Sequence, residues 1–88
     1  MSYAVRLRRD AATYVGRLSA NQKQRVLARL RQLSADPTNA RTSKPLRGGE
    51  GFRSSRVGSL RIVYTVNAAE LAVEVVRVGP RGQVYRNL

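Results

Sequence analysis

The apolar positions change their spacing along the chain, beginning with one short strand-like segment. In residues 3–8, Tyr3, Val5 and Leu7 alternate with small or basic residues, which predicts a half-buried strand. Asp10 is the expected N-cap of a short helix that follows. The apolar residues of this helix have helical spacing and are expected to face the core: Ala11, Tyr14, Val15 and Leu18.

A longer second helix is expected next. Ser19 and Gln22 have the spacing of a capping box at its start. Asp36-Pro37 ends it, because proline disfavours helix in the residue before it. The stripe of this helix that is expected to be buried is Val26, Leu27, Leu30 and Leu33. The other face is basic and is either a solvated surface or a binding surface: Lys23, Arg25, Arg29 and Arg31.

Beyond an irregular, basic loop over residues 36–49, the apolar period becomes two. Three strand-like segments follow with short connections: Phe52–Val57, Leu60–Val66 and Leu71–Val78. The turns between them are expected at Gly58-Ser59 and Asn67–Glu70. The third segment is almost continuously apolar, which is typical of a strand inside a sheet. Gly79-Pro80 is expected to break it, and the tail 81–88 either adds an edge strand or stays outside the sheet.

The order of these elements predicts one α+β domain over residues 1–88: a strand, a two-helix hairpin, then three or four strands. Short connections favour antiparallel pairing, so we expect a twisted, mainly antiparallel sheet. Both helices should pack on one face of it. The other face should carry arginine or polar side chains and be open to water or a ligand. With 88 residues and no cysteine, the fold depends on its core.

The charge of the chain points to an anionic partner. Seventeen Lys+Arg against five Asp+Glu give a formal net charge of +12. Such a field attracts polyanions, and guanidinium groups suit bidentate contacts with phosphate. Nucleic acid is therefore the first expected partner and an acidic protein the second, although arginine richness can also reflect genome base composition. No signal peptide and no membrane span are visible, so a cytoplasmic protein without membrane contact is expected.

Several kinds of chemistry are excluded by the residues present. The chain has neither histidine nor cysteine, so Ser-His and Cys-His catalysis are impossible. No spacing of the carboxylates suggests a metal centre or a glycosidase pair, and neither a metal nor a cofactor is expected. The carboxylates are Asp10, Asp36, Glu50, Glu70 and Glu74. Any catalysis must therefore use arginine, tyrosine, lysine, serine or backbone groups.

RNA is a substrate for which such groups can suffice, because it carries its own nucleophile, the 2′-hydroxyl. The enzyme must align this oxygen with the phosphorus, remove its proton, neutralise the developing charge and protonate the leaving 5′-oxygen. Guanidinium groups neutralise charge well. A phenol surrounded by arginines can take a proton, because nearby positive charge lowers the pKa of a tyrosine.

Suitable groups occur in the second half of the chain. Arg61 should point to the sheet face opposite that of Tyr64, and Arg81 and Tyr85 follow the last long strand. Arg53 and Arg56 lie on the strand before Arg61. Antiparallel pairing can gather these side chains at one end of the sheet.

Four segments resemble the RelE/ParE toxin superfamily: Lys44–Gly48, Phe52-Arg53, Arg56–Tyr64 and Val78–Tyr85. The resemblance extends nearly end to end, including the opening strand and the helix pair. It implies a RelE-like toxin of a type II toxin–antitoxin system. Such toxins are ribosome-dependent mRNA endoribonucleases that enter the ribosomal A site, cut the codon there without metal, and leave a 2′,3′-cyclic phosphate.

The resemblance also implies roles for individual residues. Arg61 would brace the scissile phosphate, Arg81 would stabilise the transition state or act on the leaving oxygen, and Tyr85 would orient or deprotonate the 2′-hydroxyl. RNA-binding roles fall to Lys44, Arg47, Arg53 and Arg56. The implied partners are a RelB-like antitoxin in a heteromeric toxin–antitoxin complex, mRNA on the ribosome, and ribosomal RNA.

Two departures and two alternatives belong to this interpretation. The best-known family member has two lysines spaced two apart where this chain has Arg53 and Arg56, spaced three apart, so both face one site only if a bulge intervenes. An arginine is also a poor acid or base. The alternatives are a ParE-like DNA gyrase inhibitor without chemistry of its own, and a basic nucleic-acid-binding module. The pair Arg81 and Tyr85 favours the nuclease.

Overall fold

The computed structural model describes residues 2–48 and 51–80. Its elements are β1 (Ala4–Leu7), α1 (Arg9–Gly16), α2 (Ala20–Ala35), β2 (Lys44–Pro45), β3 (Phe52–Val57), β4 (Leu60–Asn67) and β5 (Ala72–Pro80). This order confirms the predicted α+β class, with four strands after the helix pair. None of the described helices is long and apolar enough to cross a membrane.

The five strands form one sheet in the order β1-β5-β4-β3-β2. β1 pairs with β5 in parallel, with Ala4 opposite Ala72, while the other pairs are antiparallel. The mainly antiparallel sheet is therefore confirmed. β4 and β5 lie inside the sheet, which explains the nearly continuous apolar sequence of β5. This strand continues through Pro80, past the expected break at Gly79-Pro80.

The two helix starts differ in how well local sequence predicts them. Ser19 caps α2 by accepting a hydrogen bond from the Gln22 amide at 3.3 Å, as the capping box predicts. The prediction of Asp10 as N-cap of α1 is wrong, because Arg8 is the N-cap and makes no side-chain cap. The amide of Arg8 still donates to the Val75 carbonyl of β5 at 2.9 Å. Its backbone therefore stays extended, and the helix begins at Arg9.

The main core lies between the helices and one face of the sheet. Its largest fully buried side chains include Tyr64, Leu33 and Ile62. The Tyr64 hydroxyl donates a hydrogen bond to the carbonyl oxygen of Pro37, which anchors the loop after α2 to the sheet. Tyr64 is thus a core residue, as its alternation with Ile62 predicts, and Tyr14 packs against the same core.

The opposite sheet face, expected to carry arginine or polar side chains and to be open to water or a ligand, is partly apolar. Val63 and Val76 are buried there in a second, small cluster, against which Leu46 and Phe52 pack. A register shift between Val63 and Tyr64 on β4 places Val76 as an extra residue on β5. Both valines therefore meet on this face, and the basic residues occupy the part of it that remains.

Candidate nucleic-acid interface

Basic side chains from three strands meet on the sheet face that points away from the helices. Arg56 on β3 lies directly opposite Arg61 on β4, so both side chains share this face. Lys44 on β2 lies opposite Ser54, which shares the face two residues before Arg56. These residues border a cleft of about 300 Å³, here called the sheet-face cleft. Its lining is Arg29, Ala40, Arg41, Thr42, Ser43, Lys44, Ser54, Arg56 and Arg61.

Arg61 is the most unusual residue of the sheet-face cleft. It is only 9% exposed, yet within the described chain its guanidinium has no hydrogen bond or ion pair. Its cross-strand neighbours are the like-charged Arg56 on one side and Gly79, without a side chain, on the other. None of its described polar atoms is both fully buried and without a hydrogen-bond partner, but a cation with little access to water and no counter-charge is still unfavourable. Like charges directly opposite each other on a sheet also repel. An anion bound in the cleft would offset both the cost of the unpaired cation and the repulsion between Arg56 and Arg61.

Arg29 of α2 holds the edge of the cleft in place. Its Nη1 donates to Ser55 Oγ at 2.8 Å, to the Arg56 carbonyl oxygen at 2.8 Å and to the Thr42 carbonyl oxygen at 3.3 Å. The Ser55 hydroxyl in turn donates to the Thr42 carbonyl at 2.6 Å. One guanidinium thus fixes α2, β3 and the loop before Lys44 relative to one another. It therefore helps to position the cations of the cleft.

Sequence reasoning missed this role of Arg29, which the pattern assigned only to a basic helix face. The available signal was Ser55, a polar residue at a strand position that alternation turns toward the core. Ser55 is fully buried, opposite Ile62. A buried hydroxyl needs hydrogen-bond partners, and an arginine on the helix packed above it can provide one.

The structure does not bring Arg53 into the sheet-face cleft. Arg53 lies opposite the core residue Tyr64, because β3 and β4 pair without a register shift from Phe52 to Val57. Its side chain donates to Ser43 Oγ at 3.2 and 3.0 Å and to the Thr38 carbonyl at 3.4 Å. Arg56, rather than Arg53, therefore joins Arg61, and Arg53 supports the loop between α2 and β2.

The remaining predicted site residues lie elsewhere. Arg47 is exposed in the turn after β2 and does not line the cleft. Arg81 and Tyr85 lie outside the described residues, so their roles stay predictions. The last described residue, Pro80, directly follows Gly79, the cross-strand partner of Arg61. Lys44, Arg56 and Arg61 are thus the predicted residues that the structure brings together.

Two further depressions flank α2. One, here called the helix cleft, lies between α2 and the β3–β4 turn and has a volume of about 670 Å³. The other is mainly apolar, lies between α2 and β1, and contains Leu27, which is 40% exposed. Among the described residues that line the sheet-face cleft and the helix cleft, none is a carboxylate. Two carboxylates are paired near β1 instead, Glu70 with Arg6 and Glu74 with Arg8.

These features determine what the described site can do chemically. Guanidinium groups can bind a phosphodiester and stabilise charge that develops on it, but they do not take up a proton. A base must therefore come from another group. In the described ranges 2–48 and 51–80, no three carboxylate or other metal-ligating side chains form a cluster.

Comparison of the sequence with protein families identifies one match. The model of a family described as ParE toxin of type II toxin–antitoxin system, parDE, matches residues 3–85. No curated protein matches the sequence significantly.

Several solved structures share the fold over most of their length. The RelE–RelB complex of Pyrococcus horikoshii OT3 has a TM-score of 0.78 and 22% identity, covering 94% of this chain and 99% of that chain. The RelBE2 toxin–antitoxin complex of Mycobacterium tuberculosis has a TM-score of 0.74 and 28% identity, covering 92% of this chain and 100% of that chain. The isolated E. coli RelE toxin has a TM-score of 0.79 and 22% identity, covering 96% of this chain and 92% of that chain.

Proposed function

Because the chain belongs to the ParE toxin family of type II toxin–antitoxin systems, within the RelE/ParE superfamily, we propose that this toxin is a metal-independent endoribonuclease that cuts mRNA in the ribosomal A site. The observation that carries the proposal is Arg61, a residue only 9% exposed whose guanidinium has no partner within the described chain, opposite Arg56 in a cleft whose described lining contains no carboxylate. This arrangement is unfavourable in the free protein and favourable around a phosphodiester.

The proposed reaction uses the nucleophile of the substrate. The 2′-oxygen attacks the phosphorus, the bond to the 5′-oxygen breaks, and a 2′,3′-cyclic phosphate forms. Arg61 and Arg56 neutralise the charge that grows on the non-bridging oxygens. The leaving 5′-oxygen takes up a proton from solvent. Tyr85, as its phenolate, takes the proton of the 2′-hydroxyl, and Arg81 stabilises the transition state or acts on the leaving oxygen. The last two roles rest on the family resemblance alone.

Lys44 and Arg47 have supporting roles in this proposal. Lys44 lines the sheet-face cleft beside Ser54 and provides a point charge for a neighbouring phosphate. Arg47 is exposed in the turn that follows. Both contribute to the electrostatic part of RNA binding, including contacts with ribosomal RNA, which depends on charge more than on sequence.

The proposed regulatory partner is a RelB-like antitoxin. The similar structures from P. horikoshii and M. tuberculosis are toxin–antitoxin complexes, the former with RelB. An acidic antitoxin would complement a net charge of +12. The groove between β1 and α2 offers apolar area for such a partner, with the exposed Leu27 inside it and Arg31 on its lining. Co-purification of a toxin carrying Leu27→Glu with its antitoxin tests this surface.

The activity is tested by primer extension on mRNA in a translating extract. The wild-type toxin should produce new cuts within codons. Arg61→Ala should lower the cleavage rate about 10²-fold or more if its guanidinium stabilises developing charge. Arg9→Ala removes an exposed arginine of α1, distant from the cleft, and should cleave like the wild type. Absence of new cuts with folded wild-type toxin would exclude the nuclease.

Inhibition of DNA gyrase is a second candidate function, favoured by the family model, which describes ParE toxins. A supercoiling assay with the same preparation separates the two functions. Inhibition of supercoiling together with intact mRNA would establish the gyrase inhibitor. Cut mRNA with unimpaired supercoiling would establish the nuclease.

A further inference from the structure

The helix cleft is a second concentration of unpaired positive charge. Four arginines from two parts of the fold contribute to its lining, which is Arg25, Ala28, Arg29, Arg31, Gln32, Ala35, Arg56, Val57 and Gly58. Arg25, Arg31 and Arg56 are exposed, and within the described chain none of the three has an ion pair. An electrostatic field of one sign in a concave surface attracts anions.

The guanidiniums of Arg25 and Arg56 converge on the turn between β3 and β4. Gly58 at this turn has φ +59°, which glycine adopts without the steric cost of a side chain. A Cβ at Gly58 would lie 3.2 Å from the Arg25 guanidinium, so Arg25 packs directly over the turn. Arg56 Nε donates to the Gly58 carbonyl at 3.3 Å. Two cations are thus held beside one short turn, where an anion would bridge them.

The helix cleft is continuous with the sheet-face cleft. Arg29 and Arg56 line both of them. β2 pairs with β3 only at Arg53 and Ser54, so in the described chain no strand covers the edge of β3 from Ser55 to Val57. A flexible polyanion can therefore run from one cleft to the other across this edge, along the side chain of Arg56.

We propose that the helix cleft is a phosphate-binding subsite for the same RNA strand whose scissile phosphate lies at Arg61, so that the strand crosses the β3 edge at Arg56. This inference rests on the proposed function, since it takes the substrate to be single-stranded RNA. Arg25 and Arg31 bind phosphates of the strand beyond the cleavage site, and their planar guanidiniums can also stack on bases.

The lining favours RNA over an acidic protein segment as the occupant. Its apolar members among residues 2–48 and 51–80 are Ala28, Ala35 and Val57, none of them large. Protein partners draw most of their binding energy from anchors buried in apolar pockets. The groove on the other side of α2, with Leu27 and Leu30, has that character, and the helix cleft does not.

The experiment measures binding of labelled 2′-O-methyl oligonucleotides, which cannot be cleaved because they lack the 2′-hydroxyl. A series of increasing length is titrated by fluorescence anisotropy with wild type, the double variant Arg25→Gln/Arg31→Gln and the matched control Arg9→Gln/Arg17→Gln. The control also removes two exposed arginines, but from α1 and its C-terminal end. Circular dichroism verifies that all three proteins are folded.

In the wild type, affinity should rise when the oligonucleotide becomes long enough to reach the helix cleft. The cleft variant should lose this increment, about tenfold in affinity, and its salt slope should fall by about one per arginine removed. Binding of the shortest oligonucleotide should stay unchanged. The control variant should retain the length dependence of the wild type.

Equal length dependence in the cleft variant and the wild type would overturn the inference. A polyglutamate peptide is titrated with the same three proteins. If the cleft variant loses binding to this peptide but keeps full binding to the oligonucleotides, the inference is also overturned, because the cleft would then serve an acidic protein. The proposed function fails separately: length-dependent binding through Arg25 and Arg31 without any mRNA cleavage would leave the subsite intact and exclude the nuclease.

Discussion

At the scale of single residues, the proposed function of Arg61 conflicts with the stability of the fold. Its side chain is almost completely covered, lies beside a second arginine and has no partner in the described chain. A strand position of this kind would be more stable with an apolar residue. Unfavourable local arrangements persist where binding requires them, and stabilising substitutions at such positions often reduce activity.

Arg61→Met should therefore raise the free energy of unfolding, by about 0.5–2 kcal/mol, because methionine keeps an unbranched stem and removes the repulsion from Arg56. Urea denaturation measures this change. Arg9→Met, at an exposed helix position, should change stability by less than about 0.5 kcal/mol. A lower stability of Arg61→Met would mean that the guanidinium contributes to the fold.

A substitution at Tyr64 is expected to have the opposite effect, a loss of stability without a loss of activity. Tyr64→Phe removes the hydrogen bond to the buried Pro37 carbonyl and should lower the free energy of unfolding by about 1–2 kcal/mol. Cleavage per folded molecule should not change, because the hydroxyl lies in the core and not in the sheet-face cleft. A large loss of activity with unchanged stability would contradict the assignment of Tyr64 to the core.

At the scale of elements, Arg29 links parts of the chain that local interactions do not connect. Its guanidinium bonds Ser55 and the carbonyls of Thr42 and Arg56, which belong to a strand and a loop distant in sequence. Hydrogen bonds from a charged donor are worth more than neutral ones. The orientation of α2 over the edge of β3 depends on them, and with it the shared wall of the two clefts.

Arg29→Leu should lower the free energy of unfolding by about 2–3 kcal/mol, since it leaves acceptors on Ser55 and Arg56 without their charged donor. Thermal or urea denaturation measures the loss. Arg31→Leu, two residues along α2 and exposed, serves as the control and should be nearly neutral. Equal effects of the two substitutions would show that the Arg29 hydrogen bonds contribute little.

At the scale of the whole molecule, the charge is distributed unevenly. Two ion pairs join Arg6 of β1 and Arg8, which directly follows β1, to Glu70 and Glu74, so both lie at one edge of the sheet. In the two clefts at the other edge, the described lining contains arginines and no carboxylate. Seven of the seventeen basic residues thus line the two clefts, where an anionic ligand can approach.

Association with an acidic antitoxin should accordingly depend strongly on salt. Raising the ionic strength from about 0.01 M to about 0.15 M shortens the Debye length roughly threefold or more and should slow association at least about tenfold. Stopped-flow fluorescence measures the association rate, and the dissociation rate should change much less. An association rate independent of salt would show that the charge does not steer this partner.

Much of the fold and part of the site followed from local patterns. The change of hydrophobic period predicted the helices and long strands, because a period reflects the neighbours of a residue along its own element. The Ser19 cap and the core position of Tyr64 were predicted for the same reason. Strand alternation also placed Arg61 on the face away from the core.

Contacts between residues distant in sequence decided the rest. The hydrogen bond from the Arg8 amide to the Val75 carbonyl makes α1 begin at Arg9, so that Asp10 is not its N-cap. The regular pairing of β3 with β4 places Arg56 beside Arg61 and turns Arg53 toward the core side. Contacts distant in sequence also determine the short strand β2, the bulge at Val76 and the hydrogen bonds of Arg29. Side-chain partners and strand register depend on which segments pack together, and no local period carries that information.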